Sequence, residues 1–250
     1  MRKNKTYRLV FFFLICFFLC GCFPIKPTYT KENLTKSITA LGKKDYKLSI
    51  DSWLIGNTVW VRIPVSGLFD EKEQLKPQVM GDLNKTIQAA TRVILSMNPR
   101  PLFLVAVASD IKETGMDCLF INYIPDIVKF QLQYLSRDEF YKRSIITIDQ
   151  NAFSLGDESG SRLKKHDIGL GDFLNQLIMQ RLRNELSEIY FEGKTWKIKI
   201  KTKEENNIIK ILAYFCKEYD FNDFQIIEIE NISSGEKSLV SKEDLKNFLR

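Results

Sequence analysis

Apolar and polar positions recur along the chain in patterns that predict both helices and strands. Residues 30–42 and 78–99 carry apolar side chains at helical spacing, which indicates two amphipathic helices. Residues 101–110 and 115–124 are almost continuously apolar, as is typical of central strands covered on both faces. The presence of both predicted helices and predicted strands indicates an α+β fold for residues 30–190.

A β-hairpin is predicted around Gly56 and Asn57, a dipeptide that favours a two-residue turn. Folding the strands about this turn gives one nearly apolar face and places Trp53 opposite Trp60 on the other. An exposed tryptophan pair is a natural platform for docking a glycan or a protein. In the alternative interpretation, a helix covers the pair.

The pattern changes near residue 191, and residues 191–250 are predicted to form a small βαββα module after a domain of residues 30–190. No internal repeat is evident in the sequence. The first strand of the module alternates strictly and directs its lysines to one face. These lysines are Lys197, Lys199 and Lys201.

That lysine face has two interpretations. It could bind anions such as lipid headgroups. It could instead be an edge strand protected by charge, or a strand whose lysines lie opposite Glu228 and Glu230.

The first residues have the features of a secretory signal peptide. Four basic residues precede an apolar run from Leu9 to Leu19. This run is too short to span a bilayer, because a membrane-spanning helix needs about 20 apolar residues. The run ends in Leu19-Cys20-Gly21-Cys22, which resembles the lipobox of bacterial lipoproteins.

This resemblance, which covers residues 1–22 only, implies lipid attachment at Cys22 and removal of residues 1–21. Residues 22–29 contain two prolines and are predicted to be a semi-extended tether. The resemblance also implies a lipid-anchored protein facing the periplasm. The lack of an aspartate after Cys22 favours the outer membrane over the inner one. The alternative is an uncleaved membrane anchor.

Charge changes the picture once the leader is set aside. The chain of 250 residues has a net charge of +6, but four of its 37 basic residues and none of its 31 acidic residues lie in residues 1–21. The remaining 33 basic and 31 acidic residues give only +2, so no nucleic-acid partner is expected. Cys118 and Cys216 lie in apolar segments and are predicted to be buried thiols, with a disulfide between them as the alternative.

Candidate catalytic chemistry is sparse. His166 is the one histidine of the chain, and it lies in the glycine-rich segment 149–172, which is predicted to be a surface loop. His166 and Asp167 could serve as a general base and its orienting acid, but adjacent loop residues rarely make that contact. Because the chain has a single histidine, two-histidine metal motifs are impossible, and no cofactor or metal is expected.

These observations predict a membrane-tethered lipoprotein with a non-catalytic structural, assembly or binding role in the cell envelope. Its expected partners are the membrane, through lipid at Cys22, and an envelope protein or glycan. The alternative is an envelope hydrolase that uses His166 and nearby acids.

Overall fold

The computed structural model describes residues 29–151 and 165–249, and their fold is α+β, as predicted. The helices are α1 (Leu34–Leu41), α2 (Pro77–Ile94), α3 (Ile124–Gln131), α4 (Arg137–Lys142), α5 (Leu170–Arg181), α6 (Glu205–Glu218) and α7 (Lys242–Leu245). Short 3₁₀ or π turns occupy Lys31–Asn33, Gly42–Tyr46 and Lys246–Leu249. The strands are β1 (Asp51–Ile55), β2 (Thr58–Pro64), β3 (Phe103–Asp110), β4 (Met116–Tyr123), β5 (Ile145–Gln150), β6 (Leu186–Glu192), β7 (Thr195–Ile200), β8 (Ile226–Asn231) and β9 (Lys237–Ser241).

The strands form two mixed sheets that share a four-stranded design, and sheet 1 has in addition β5, which pairs antiparallel with β4. Sheet 1 has the order β1-β2-β3-β4-β5, and sheet 2 has the order β6-β7-β8-β9. In each sheet, two antiparallel hairpins are joined by one parallel pair, β2 with β3 and β7 with β8. A helix, α2 or α6, connects the strands of each parallel pair, as a parallel connection requires.

The chain therefore contains an internal repeat. Repeat 1 runs from α1 through β1, β2, α2, β3 and β4 to α3, and repeat 2 runs from α5 through β6, β7, α6, β8 and β9 to α7. Only α4, β5 and the segment up to α5 lie between the repeats. This architecture corrects the impression from the sequence that no repeat is present.

Matching backbone hydrogen bonds set the register of the two repeats. The carbonyl of Asn57, in the first hairpin turn, accepts from the N–H groups of Leu102 and Phe103. In repeat 2 the carbonyl of Lys194 accepts from Gln225 and Ile226 in the same way. Because both hairpins also place a threonine directly after the turn, Gly56-Asn57-Thr58 corresponds to residues 193–195.

The repeats stack so that the helices of repeat 2 lie between the two sheets. One face of sheet 1 packs against α1 and α2 in a first core, and its other face contributes to a second core. The second core also contains α5, α6 and the inner face of sheet 2. Ring contacts cross this junction, with centroids 5.2 Å apart for Phe103 and Phe173 and 5.4 Å apart for Tyr123 and Tyr219.

The C-terminal module differs from the predicted βαββα in having one strand more. Strand β6 begins at Leu186, only five residues after α5 ends at Arg181, and it crosses the boundary predicted near residue 190. Leu186 is its one fully buried residue. The other residues of β6 alternate between half-buried and exposed, and this strand was not predicted from the sequence.

Within the two described ranges, the structure has no helix that is both long and apolar enough to span a membrane.

Candidate functional site

The hairpin predicted from the sequence is confirmed, including its register. Trp53 lies opposite Trp60, and Asp51 lies opposite Arg62, whose guanidinium is 2.7 Å from the Asp51 carboxylate. The turn at Gly56 has φ +56°, a left-handed conformation that glycine adopts without a steric penalty.

The tryptophan pair is covered, although by an extended segment and not by a helix. Trp60 is only 2% exposed, and its indole N–H donates to the carbonyl of His166 at 2.9 Å. The ammonium of Lys165 lies 4.0 Å from the centroid of the Trp53 ring, which is a close cation–π contact. The pair is therefore part of the packing between the first hairpin and residues 165–168.

Asp167 fixes this segment to the hairpin turn. Its Oδ1 accepts hydrogen bonds from the backbone N–H of Asn57 at 2.8 Å and from the hydroxyl of Thr58 at 2.9 Å. That hydroxyl accepts in turn from the N–H of Ile168 at 2.8 Å. The Asp167 carboxylate thus serves the turn and not the imidazole of His166, which is exposed and lies 5.8 Å from the Trp60 ring.

The lysine face of β7 carries a cross-strand lattice of opposite charges. Lys197 and Lys199 lie opposite Glu228 and Glu230 on β8, as one of the two interpretations of the sequence predicted. On the other side, Lys199 contacts Glu188 of β6 at 2.8 Å. Strand β7 is therefore an inner strand of sheet 2 and not an edge strand.

The lattice continues to both neighbouring strands. Lys197 pairs with Glu192 on β6, while Lys237 on β9 lies 3.1 Å from Glu228 and 3.5 Å from Glu230. Lys201 lies just beyond β7 in an exposed bend. The lattice occupies the open face of sheet 2, and the equivalent face of sheet 1 is buried by the helices of repeat 2.

A buried ionic cluster, not predicted from the sequence, joins the two repeats. Asp126 of α3, only 2% exposed, accepts from the hydroxyl of Tyr219 at 3.0 Å. Arg143 lies 3.4 Å from Asp126 and 2.8 Å from Glu218 of α6. Lys129 binds the same Glu218 oxygen at 2.6 Å.

Burial has the larger effect on two groups of this cluster, Asp126 and Tyr219. It raises the pKa of Asp126, although Tyr219, Arg143 and Lys129 act in the opposite direction. Burial also raises the pKa of Tyr219, with Asp126 adding to the shift. For Glu218, hydrogen bonds from Arg143 and Lys129 outweigh burial and lower the pKa. The cluster is thus a polar junction that holds α3 and residue 143 against α6.

A second buried carboxyl lies where β3 and β4 meet. Asp117, 3% exposed, accepts from the hydroxyl of Ser109 at 2.5 Å and from the side-chain amide of Asn151 at 3.4 Å. Burial raises its pKa. Asp110 next to it binds the N–H groups of Glu113 and Thr114 and stabilises the β3–β4 turn.

Cys118 is fully buried and Cys216 is partly buried, and both are free thiols, as predicted. In the described part of the chain, no group of three or more histidine, cysteine or acidic side chains is arranged to hold a metal ion. The lipobox and Cys22 lie outside the described residues, as do residues 152–164 of the loop predicted at 149–172.

Comparison with known proteins adds no family to this description: the chain matches no family model, no curated protein and no solved structure.

Proposed function

We propose that this protein is a lipid-anchored lipoprotein of the bacterial cell envelope with a non-catalytic structural, assembly or binding role. The observation that carries the proposal is the leader, in which a basic start and a short apolar run end at Leu19-Cys20-Gly21-Cys22. More than one acyl chain at Cys22 would hold the protein firmly at a membrane.

The tether restricts where the folded part works. Residues 22–29 span at most about 28 Å when fully extended, at about 3.5 Å per residue. The two repeats would therefore stay close to the membrane surface, and an envelope protein or glycan that binds them would be met there.

The hydrogen bonds of two carboxyl groups, Asp167 and Asp126, support a non-catalytic function. Asp167 is engaged by the hairpin turn, and Asp126 is engaged by Arg143 and Tyr219 at the junction of the repeats. Each of these carboxyls has a packing role.

Metabolic labelling with a fatty-acid analogue tests the anchor. Wild-type protein should be labelled and recovered with membranes, and Cys22→Ala should lose both properties. Cys20→Ala is the matched control, because it changes the neighbouring cysteine and leaves a small residue in the lipobox. Labelling that persists in Cys22→Ala would contradict the proposal.

A further inference from the structure

The internal repeat allows equivalent positions to be compared, and at one pair of positions an apolar residue corresponds to a charged one. The N–H of Ile124, the first residue of α3, donates to the carbonyl of Leu102 at 2.9 Å. In repeat 2 the N–H of Lys242, the first residue of α7, donates to the carbonyl of Gln225 at 3.0 Å. Lys242 therefore occupies in repeat 2 the position that Ile124 holds in repeat 1.

The two side chains have different surroundings. Ile124 is 2% exposed and belongs to the first core. In repeat 2 a cavity of about 440 Å³ lies between the end of α6, the following loop and α7. Its lining includes Cys216, Lys217, Phe221, Phe224, Lys242 and Leu245. The volume lies within the range of small-molecule sites, which is roughly 300–1,000 Å³.

The walls of the cavity are mainly apolar, and its charged groups are mainly cationic. Phe221, Phe224 and Leu245 supply apolar surface, while Lys217 and Lys242 outnumber the single acid, Asp220. The ammonium of Lys242 is positioned by the carbonyl of Asn222, to which it donates at 2.6 Å. This bond uses one of the three ammonium protons, so two remain for a ligand.

The thiol of Cys216 does not supply a negative charge to the cavity. Burial raises its pKa to about 12, even though Lys242 acts to lower it. A neutral thiol adds to the apolar wall and leaves the lysines as the charged groups that select a ligand.

We propose that this cavity binds a small amphipathic anion, with an apolar chain against the aromatic wall and a carboxylate at Lys242. A medium-chain monocarboxylate has this chemistry. The inference does not depend on the lipid anchor, because it uses only residues of repeat 2, and either proposal can fail without the other.

Photo-crosslinking tests the site in the full-length protein in its membrane. The probe is decanoate carrying a diazirine in its chain, and crosslinked peptides are identified by mass spectrometry. We expect crosslinks in peptides that contain Phe221, Phe224 or Leu245. Unlabelled decanoate should compete at least about tenfold better than decanol or decyltrimethylammonium. Equal competition by the cationic compound, or crosslinks elsewhere only, would overturn the proposal.

Two variants separate the apolar and ionic parts. Lys242→Ile introduces the residue that repeat 1 has at this position and should reduce crosslinking about tenfold or more. Lys242→Ala leaves the cavity open and should abolish the preference for decanoate over decanol. Lys210→Ala, on an exposed position of α6, should change neither property. If Lys242→Ile does not fold, retention of the decanoate preference in Lys242→Ala still refutes the proposal.

Discussion

Ile124 and Lys242 occupy equivalent positions in the two repeats, yet Ile124 is buried in the first core and Lys242 borders a cavity. Their truncation should therefore have unequal effects on stability. Ile124→Ala should lower the free energy of unfolding by about 2–5 kcal/mol, as is usual for a buried isoleucine. Lys242→Ala should change it by about 0.5 kcal/mol or less. Urea denaturation of both variants measures the difference. Equal losses of unfolding free energy would show that the two side chains have similar surroundings.

The two hairpin turns provide a second matched pair. Gly56 and Gly193 have φ values of +56° and +60°, so alanine at either position is strained by roughly 1–2 kcal/mol. A methyl group at Gly56 would also collide with the carboxylate of Asp167, whereas nothing lies within 4 Å of one at Gly193. Gly56→Ala should therefore lower the melting temperature more than Gly193→Ala. The same variants in an Asp167→Ala background should differ less.

The first hairpin could be predicted because its signals are local. Gly56-Asn57 sets the turn, and the turn sets which residues lie opposite each other. The cover over Trp60 could not be predicted, because it comes from His166, 106 residues away in sequence. No local pattern records that contact.

The repeat escaped detection because equivalent positions have the same backbone role and different side chains. Val59 corresponds to Trp196, and the two side chains differ in size. Ile124 corresponds to Lys242, and the two side chains differ in polarity. The cavity lies beside one of these differing residues, Lys242, and therefore could not be predicted from the sequence. The buried cluster at Asp126 was missed for a related reason, since its partners Arg143 and Glu218 are distant in sequence.

Removing Arg143 should be costly, because its guanidinium compensates the buried charge at the junction of the repeats. We expect Arg143→Ala to lower the free energy of unfolding by about 3–5 kcal/mol at pH 7, as when one partner of a buried ion pair is removed. Arg92→Ala is the control. Arg92 pairs with Asp45 at 2.8 Å but is 57% exposed, so its loss should cost far less than the loss of Arg143. Similar losses in the two variants would contradict a buried role for Arg143.

The pH dependence of stability should reveal the raised pKa of Asp126. A carboxyl whose pKa is higher in the folded state stabilises the fold below its unfolded pKa, near 3.9, and loses that contribution as the pH rises through the folded pKa. Asp126→Asn lacks this titration. The stability of Asp126→Asn relative to wild type should therefore improve between pH 4 and pH 7. Urea denaturation at both pH values measures this, and a relative decline would show that Arg143 lowers the Asp126 pKa after all.

Substitution of His166 separates the proposed binding role from the hydrolase alternative. His166→Ala should leave protein abundance and complementation of a deletion strain nearly unchanged, because the imidazole is exposed and Asp167 is engaged by the hairpin turn. Its contact with Trp60 is a ring contact at 5.8 Å, and the indole N–H binds the His166 backbone, which the substitution keeps. Loss of a general base would instead cost about 100-fold or more in rate. His166→Phe is the matched control, because it keeps a ring beside Trp60 and cannot carry a proton. If both variants are abundant and both fail to complement, His166 acts as a base and the non-catalytic role is wrong. If only His166→Ala fails, the ring contact is what function requires.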